Sequence, residues 1–380
     1  MAIQDIGDNV RRHMKIRGLT IPQLSEKMGM GTAAISNLLN GKAEPRSSTL
    51  LKLADALNVS FDDLLADAPK LLSLRFRTAK TLSGREKAAK DQLLHDTAIW
   101  LSDYRFLEEQ LGKSSKYRLK DVRDKRPSAA AKEARARLSP SDTGPISDIS
   151  ELMEYAGIKL RIHPFGFKQT FGLSIGDEDG GPAIVVNSED GIPVERQLFT
   201  VAHELGHLVM HRKSYTDSFG MENEKEEREA DLFAGYFLVP DEALEKEWGE
   251  SKGLYFVDRV LKIKKIFKVS YLTILVRLSQ LEPGLSLSDL IIHFRQDYKI
   301  KYGHDLKGHY EPDALGSSGI SPVAEKDPQA LDVSDLMEER FARLVREAYE
   351  GEYISLGRAG EMLGLSVEDM RNLVRAWQEI

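Results

Sequence analysis

The chain has 380 residues, 41% of them hydrophobic and 30% charged, with a formal net charge of −7 and no cysteine. That length exceeds one ordinary domain, and the composition is that of a water-soluble globular protein. Without cysteine, disulfides and thiolate metal sites are excluded, so any metal has to be held by histidines and carboxylates. No apolar run is long enough for a bilayer and the N-terminus carries no charged-then-apolar signal, which points to the cytoplasm and to no membrane partner. Residues 1–68 balance at 8 Lys and Arg against 8 Asp and Glu, whereas residues 69–137 carry 18 against 9. A basic middle beside an acidic remainder implies separate partners for separate parts.

Residues 5–66 read as five short helices. Asp5–Arg17 is amphipathic, with Ile6, Val10 and Met14 on one face, and Gly18 closes it. Thr20 is placed to cap a second helix whose Pro22 falls in the first turn, where a missing N–H costs nothing. Gly29-Met30-Gly31 turns tightly into a third helix, Thr32–Leu39, and two more start near Ser48 and Ser60. Helix, short glycine-containing turn, helix is the pattern of a helix-turn-helix. On Lys27-Met28-Gly29-Met30-Gly31 and the helices around it, residues 1–68 resemble the Cro/repressor (XRE-type) family of all-α, five-helix domains. The resemblance implies that the helix from Thr32 enters the major groove of a double-stranded DNA operator. Gln23, Thr32, Ala33, Ser36 and Asn37 would then face bases, Lys42 and Arg46 would grip phosphates, and a homodimer would match two half-sites. A module for protein contacts is the competing reading, favoured by the zero net charge and the small Ala33 and Ala34.

Residues 69–144 read as a basic helical connector: a long helical pattern from Ser83 to Gly112, a positive run from Lys113 to Arg126, and a short helix from Ala129 to Leu138. Pro140 to Pro145 breaks the chain. In residues 145–302, a helix over Ile149–Tyr155 precedes strands at Lys159–His163, Thr170–Ile175 and Pro182–Asn187. Ala183–Asn187 is the candidate edge strand to hold a substrate backbone by β-augmentation.

The next segment, Phe199 to His211, carries His203-Glu204-Leu205-Gly206-His207. Residues four apart share a helix face, so His203 and His207 can offer imidazoles to one metal ion, with Glu204 placed as general base on a metal-held water. A core helix that happens to hold two histidines is the bland alternative. A third ligand has to come from Lys225–Ala234, where Glu227 and Asp231 again stand four apart, and Glu226 and Glu229 compete on spacing alone. His211 lies too far round the helix to be an equivalent ligand, which leaves a capping or surface role near the helix end. Tyr215, Tyr236 and Arg277 are candidates to stabilise an oxyanion.

Pro182–Ser188, Phe199–His207, Glu227–Ala234 and Leu238-Val239-Pro240, in that order, resemble the ImmA/IrrE family of metallopeptidases. The resemblance implies an α+β zincin-like domain with zinc, or manganese, on His203, His207 and Glu227, with Glu204 as base. Asp231 would stand behind the metal in the second layer, where the family more often has Asn. It also implies a protein substrate, such as a helix-turn-helix repressor. This chain itself is a second possible substrate, at the basic connector or near Ser317. Beyond the domain, two helices around Val269-Ser270 precede a Gly-, Pro- and Ser-rich linker over 303–333, and residues 334–380 form a small helical module suited to protein contacts. The fold expected is therefore multidomain and mainly α. The function expected is a DNA-binding regulator carrying a zinc peptidase, the alternative being a non-proteolytic regulator whose zincin-like domain senses a ligand or partner.

Overall fold

The computed structural model describes residues 3–17, 19–57, 59, 61–65, 71, 73–76, 83–123, 126–139, 144–215, 223–282, 284–303, 305–306, 331, 336–337 and 339–378. In chain order the elements are α1 (Ile3–Ile16), α2 (Ile21–Met28), α3 (Thr32–Leu39), α4 (Ser47–Leu57), α5 (Phe61–Leu65), β1 (Leu74–Phe76), α6 (Gly84–Gln110), α7 (Pro127–Leu138), α8 (Ile149–Ala156), β2 (Lys159–His163), β3 (Gly172–Ile175) and β4 (Ala183–Asn187). There follow α9 (Val194–Met210), α10 (Glu224–Leu238), α11 (Asp241–Glu250), α12 (Phe256–Phe267), α13 (Tyr271–Leu281), α14 (Leu287–Tyr302), α15 (Arg340–Glu350), α16 (Leu356–Leu363) and α17 (Val367–Gln378). The protein is mainly helical, its described residues forming one small sheet, and no described helix is long and apolar enough to cross a membrane.

The chain divides into two compact units: Met1–Leu71 with Lys90–Ser114 and Glu339–Ile380, and Leu72–Ala89 with Ser115–Glu338. In the first, the inward stripes of α1 to α5 close a core of Ile6, Val10, Met14, Leu24, Met28, Ile35, Leu38, Leu39, Leu50, Leu53, Leu57 and Leu64. α2 starts on a capping box in which Thr20 and Gln23 satisfy each other's backbone N–H groups. It stops at Gly29, whose φ of 63° is a left-handed conformation that a side chain would strain. The middle of α6 packs against the C-terminal helices in the same unit. Tyr104 and Phe341 have ring centroids 5.3 Å apart, Arg340 pairs with Glu108 at 2.8 Å and Arg358 with Asp103 at 2.5 Å.

In the second unit the sheet has the order β1-β3-β4-β2, with β2 and β4 parallel and the other pairs antiparallel. β3 and β4 are buried throughout, as α9 packs across them, and α10 lies between α9 and α7. Buried Lys264 and Glu195, 2.9 Å apart, tie α12 to the start of α9, and the Arg135 Nη1 on α7 donates to the Phe237 carbonyl of α10 at 2.9 Å.

Three expectations change. Ala183–Asn187 is not an edge strand: β4 lies inside the sheet with both neighbours hydrogen-bonded, so its backbone is not free to hold another chain. Residues 69–144 are not one connector, because 90–114 pack with the C-terminal helices while β1 and α7 belong to the second unit. The helical module over 334–380 is likewise part of the first unit rather than a body of its own. Ser317 and nearly all of the 303–333 linker lie outside the described residues.

Candidate metal centre

All of α9 except Arg196 and Phe199 is buried, so its polar side chains need partners within the fold. His203 and His207 face the first turn of α10, from which Glu227 projects back at them. His203 Nε2 lies 3.1 Å from His207 Nε2 and 3.2 Å from Glu227 Oε2, and His207 Nε2 lies 3.5 Å from Glu227 Oε1. A tetrahedral ion with ligands at roughly 2.0–2.1 Å sets its ligand atoms about 3.3 Å apart. The two imidazoles meet different oxygens of the Glu227 carboxylate, and with one ligand atom from each residue the three lie within 4.8 Å of one another, the one such group among the described residues.

The outer ring atoms are held as well. His203 Nδ1 meets Asp231 Oδ1 at 2.8 Å, one turn beyond Glu227 on α10. His207 Nδ1 meets His211 Nδ1 at 2.9 Å, and His211 Nε2 meets Glu229 Oε2 at 3.1 Å. With an ion held between them, one tautomer assignment would serve every atom: both Nε2 lone pairs would point inward, while His203 Nδ1–H donates to Asp231, His207 Nδ1–H to His211 and His211 Nε2–H to Glu229. Glu226, the other competing carboxylate, turns away to Arg75 at 2.5 Å and Ser214 at 2.8 Å. Arg75 also holds Glu227 Oε1 at 3.0 Å.

Glu204 sits on the sheet side of α9. Ser174 on β3 donates to its Oε2 at 2.5 Å, and the Tyr215 hydroxyl donates to Ser174 Oγ at 2.7 Å. β3 passes so close that a Cβ on Gly172 would lie 2.5 Å from Thr200 Cγ2 and 3.2 Å from Glu204 Oε1. Burial raises the Glu204 carboxyl above its usual range, against the opposing pull of His203 and Ser174. Burial disfavours a charge on His203 too, but its hydrogen bonds to Asp231 and Glu227 outweigh that and lift it to about 9. His207, equally buried and beside a charged neighbour, is pushed down to about 3. Glu227 is held well below the carboxylate range by both imidazoles and Arg75 despite its burial.

Among the sequence candidates, Tyr215 reaches this cluster. Tyr236 and Arg277 do not: Arg277 stacks on Tyr236, donates to the Val239 carbonyl at 3.1 Å and pairs with Asp241, a structural bracket under α10. His211 is the C-cap residue of α9 but is buried, not a surface group. Arg75, Ser174 and the His211–Glu229 pair were not legible as parts of the site. The alternation Leu74-Arg75-Phe76 is a strand signal, yet three residues are too few to read. In the other unit, Gln23, Thr32, Ala33 and Asn37 are exposed on α2 and α3, Ser36 is half-buried, and Lys42 and Arg46 are exposed on the loop after α3.

Residues 153–279 match the family described as IrrE N-terminal-like domain, and residues 10–64 the one described as helix-turn-helix. Among curated proteins, the HTH-type transcriptional repressor RghR of Bacillus subtilis (strain 168) is 34% identical over 67 residues, 17% of this chain and 50% of that one. The uncharacterized HTH-type transcriptional regulator RghRB of the same organism is 38% identical over 63 residues, 16% of this chain and 45% of the other. The chain thus spans about half the length of the curated relatives it matches. A solved structure of Bacillus thuringiensis PlcR in complex with the peptide PapR7 and DNA is 14% identical, covering 78% of this chain and 95% of that one, at a TM-score of 0.16, too low for any inference of shape. The chain therefore carries an IrrE N-terminal-like domain at residues 153–279 behind a helix-turn-helix domain at residues 10–64.

Proposed function

We propose that the protein is a DNA-binding regulator whose second unit is a zinc peptidase acting on a protein substrate, with a helix-turn-helix repressor as the substrate class. The observation that carries the reading is the trio His203, His207 and Glu227 at 3.1–3.5 Å with Glu204 beside it in a buried site. His203, His207 and Glu227 would hold zinc, or manganese in the same shell, which would supply Lewis-acid chemistry to a scissile carbonyl and a water. Glu204, with Oε2 fixed by Ser174, is the residue that would accept a proton from the attacking water and hand it to the departing amine. Tyr215 holds Ser174, and through it the Glu204 carboxylate, in one orientation. Asp231 and the His211–Glu229 pair fix the two ring planes.

In the other unit, Thr32, Ala33, Ser36 and Asn37 on α3 and Gln23 on α2 face the bases of an operator, Lys42 and Arg46 its phosphates, and two copies read two half-sites. Glu204→Gln tests the peptidase directly. With zinc and the product of the neighbouring gene as candidate substrate, the variant keeps one metal per chain and binds DNA, while fragments seen by mass spectrometry with the wild type disappear. Fragments that persist in the variant, or regulation in cells that is unchanged by it, would remove the enzyme and leave a regulator that senses without cutting.

A further inference from the structure

The sheet edge beside Glu204 is already occupied. β3 borders α9, and its outer edge is where an extended peptide could join the sheet next to the site, because the opposite edge, β2, is set off by β4. The occupant is β1, which lies outside the 153–279 match and reaches the sheet from the segment ahead of α6. It runs antiparallel to β3, with Leu74 opposite Ile175, Arg75 opposite Ser174 and Phe76 opposite Leu173. Directly opposed residues of such a pair project to one face, so Arg75 follows Ser174 towards the site. There its guanidinium spans Glu226 at 2.5 Å and Glu227 at 3.0 Å. Outside the ladder Ser73 is held from both sides, its carbonyl accepting from the Gly176 N–H at 2.9 Å. Asp179 Oδ2 accepts from the Ser73 N–H at 2.6 Å and hydroxyl at 3.0 Å, and the Phe76 ring meets Phe167 edge-on at 6.3 Å. All three β1 residues are only half-buried, and three residues make a strand short enough to be displaced.

Resting on the peptidase reading above, we infer that β1 is a tethered stand-in for the substrate. It pairs with the β3 edge that an extended substrate needs, and it presents Arg75 to Glu226 where the substrate would present a basic side chain. In this form the chain blocks its own substrate strand. The segment that displaces β1 is an extended stretch of protein with an Arg or Lys opposite Ser174.

The test uses the full-length protein, a Leu74→Pro/Phe76→Asp double variant that undoes the β1 ladder, and a fluorescent peptide of residues 71–79 as probe. By anisotropy the peptide binds the double variant at least tenfold more tightly than the wild type, and a peptide with Arg75→Glu loses at least tenfold of that affinity. Bound zinc stays at one per chain. Equal affinity of the peptide for wild type and variant overturns the inference, and so does loss of zinc from the variant, which would make β1 a fixed wall of the metal site. If the double variant does not fold, Asp179→Ala, which takes away the acceptor of the Ser73 N–H and hydroxyl, raises peptide affinity severalfold, and no rise overturns the inference equally. Binding requires no bond cleavage. A released variant that binds the peptide yet cuts no substrate refutes the peptidase reading and leaves β1 as the occupant of a peptide-binding edge only.

Discussion

If His203, His207 and Glu227 hold zinc as proposed, its uptake should expel a proton from His203. Without metal, His203 is held charged up to about 9, chiefly because the hydrogen bonds to Asp231 and Glu227 overcome its burial. A metal ligand must be the neutral imidazole, so the ion has to displace that proton. At pH 7 the displacement spans about two pH units, on the order of a hundredfold in apparent affinity. His207, pushed down to about 3, and Glu227, held well below its usual range, are already deprotonated and release nothing. Calorimetric zinc titrations at pH 7 in buffers of different ionisation enthalpy should therefore report at least one proton released. Affinity should rise about tenfold per pH unit between 6 and 8. A heat that does not depend on the buffer, together with flat affinity over that range, would mean His203 is neutral beforehand and would refute the reasoning. The same two groups act on the metal-free fold with opposite signs. The raised His203 stabilises it fully below pH 6.5 and loses that contribution as pH rises through about 9, whereas the depressed His207 costs stability progressively as pH falls from 6.5 towards 3.

Gly172→Ala forces a Cβ to 2.5 Å from Thr200 Cγ2 above Glu204, so unfolding stability should fall by about 1–3 kcal/mol in a denaturant titration, with metal stoichiometry unchanged. His211→Ala strips the partner from His207 Nδ1 and should weaken zinc affinity by about 10–100-fold, measured by competition with a chelator. In the other unit, Asn37→Ala should cost about 1–3 kcal/mol on the operator and relax its sequence preference, while Arg46→Ala should weaken all sequences alike and lower the salt slope by about 1. Thr20→Ala breaks the capping box of α2 and should cost that unit about 1 kcal/mol, read by thermal melting.

Much of this arrangement is written in local pattern. The repeat of Ile6, Val10 and Met14, the box formed by Thr20 and Gln23, and the left-handed Gly29 fix the first helices through interactions within a few residues, so sequence determines them unaided. The same holds for His203 and His207, because one helical turn is all that places their rings side by side. Which of Glu226, Glu227 and Glu229 turns inward was not decidable on spacing, since one helix offers all three at its start. Packing of α10 against α9 selects Glu227, and Arg75 and His211 take the other two. The sheet edge was misplaced for a related reason. Ala183–Asn187 reads as a strand from its own residues, but whether a strand is interior depends on which segments pair with it, and β1 comes from about a hundred residues upstream. Helical period and cap chemistry are short-range and sequence carries them. The choice among equivalent carboxylates and the order of strands depend on contacts between distant segments, and these only the folded chain decides.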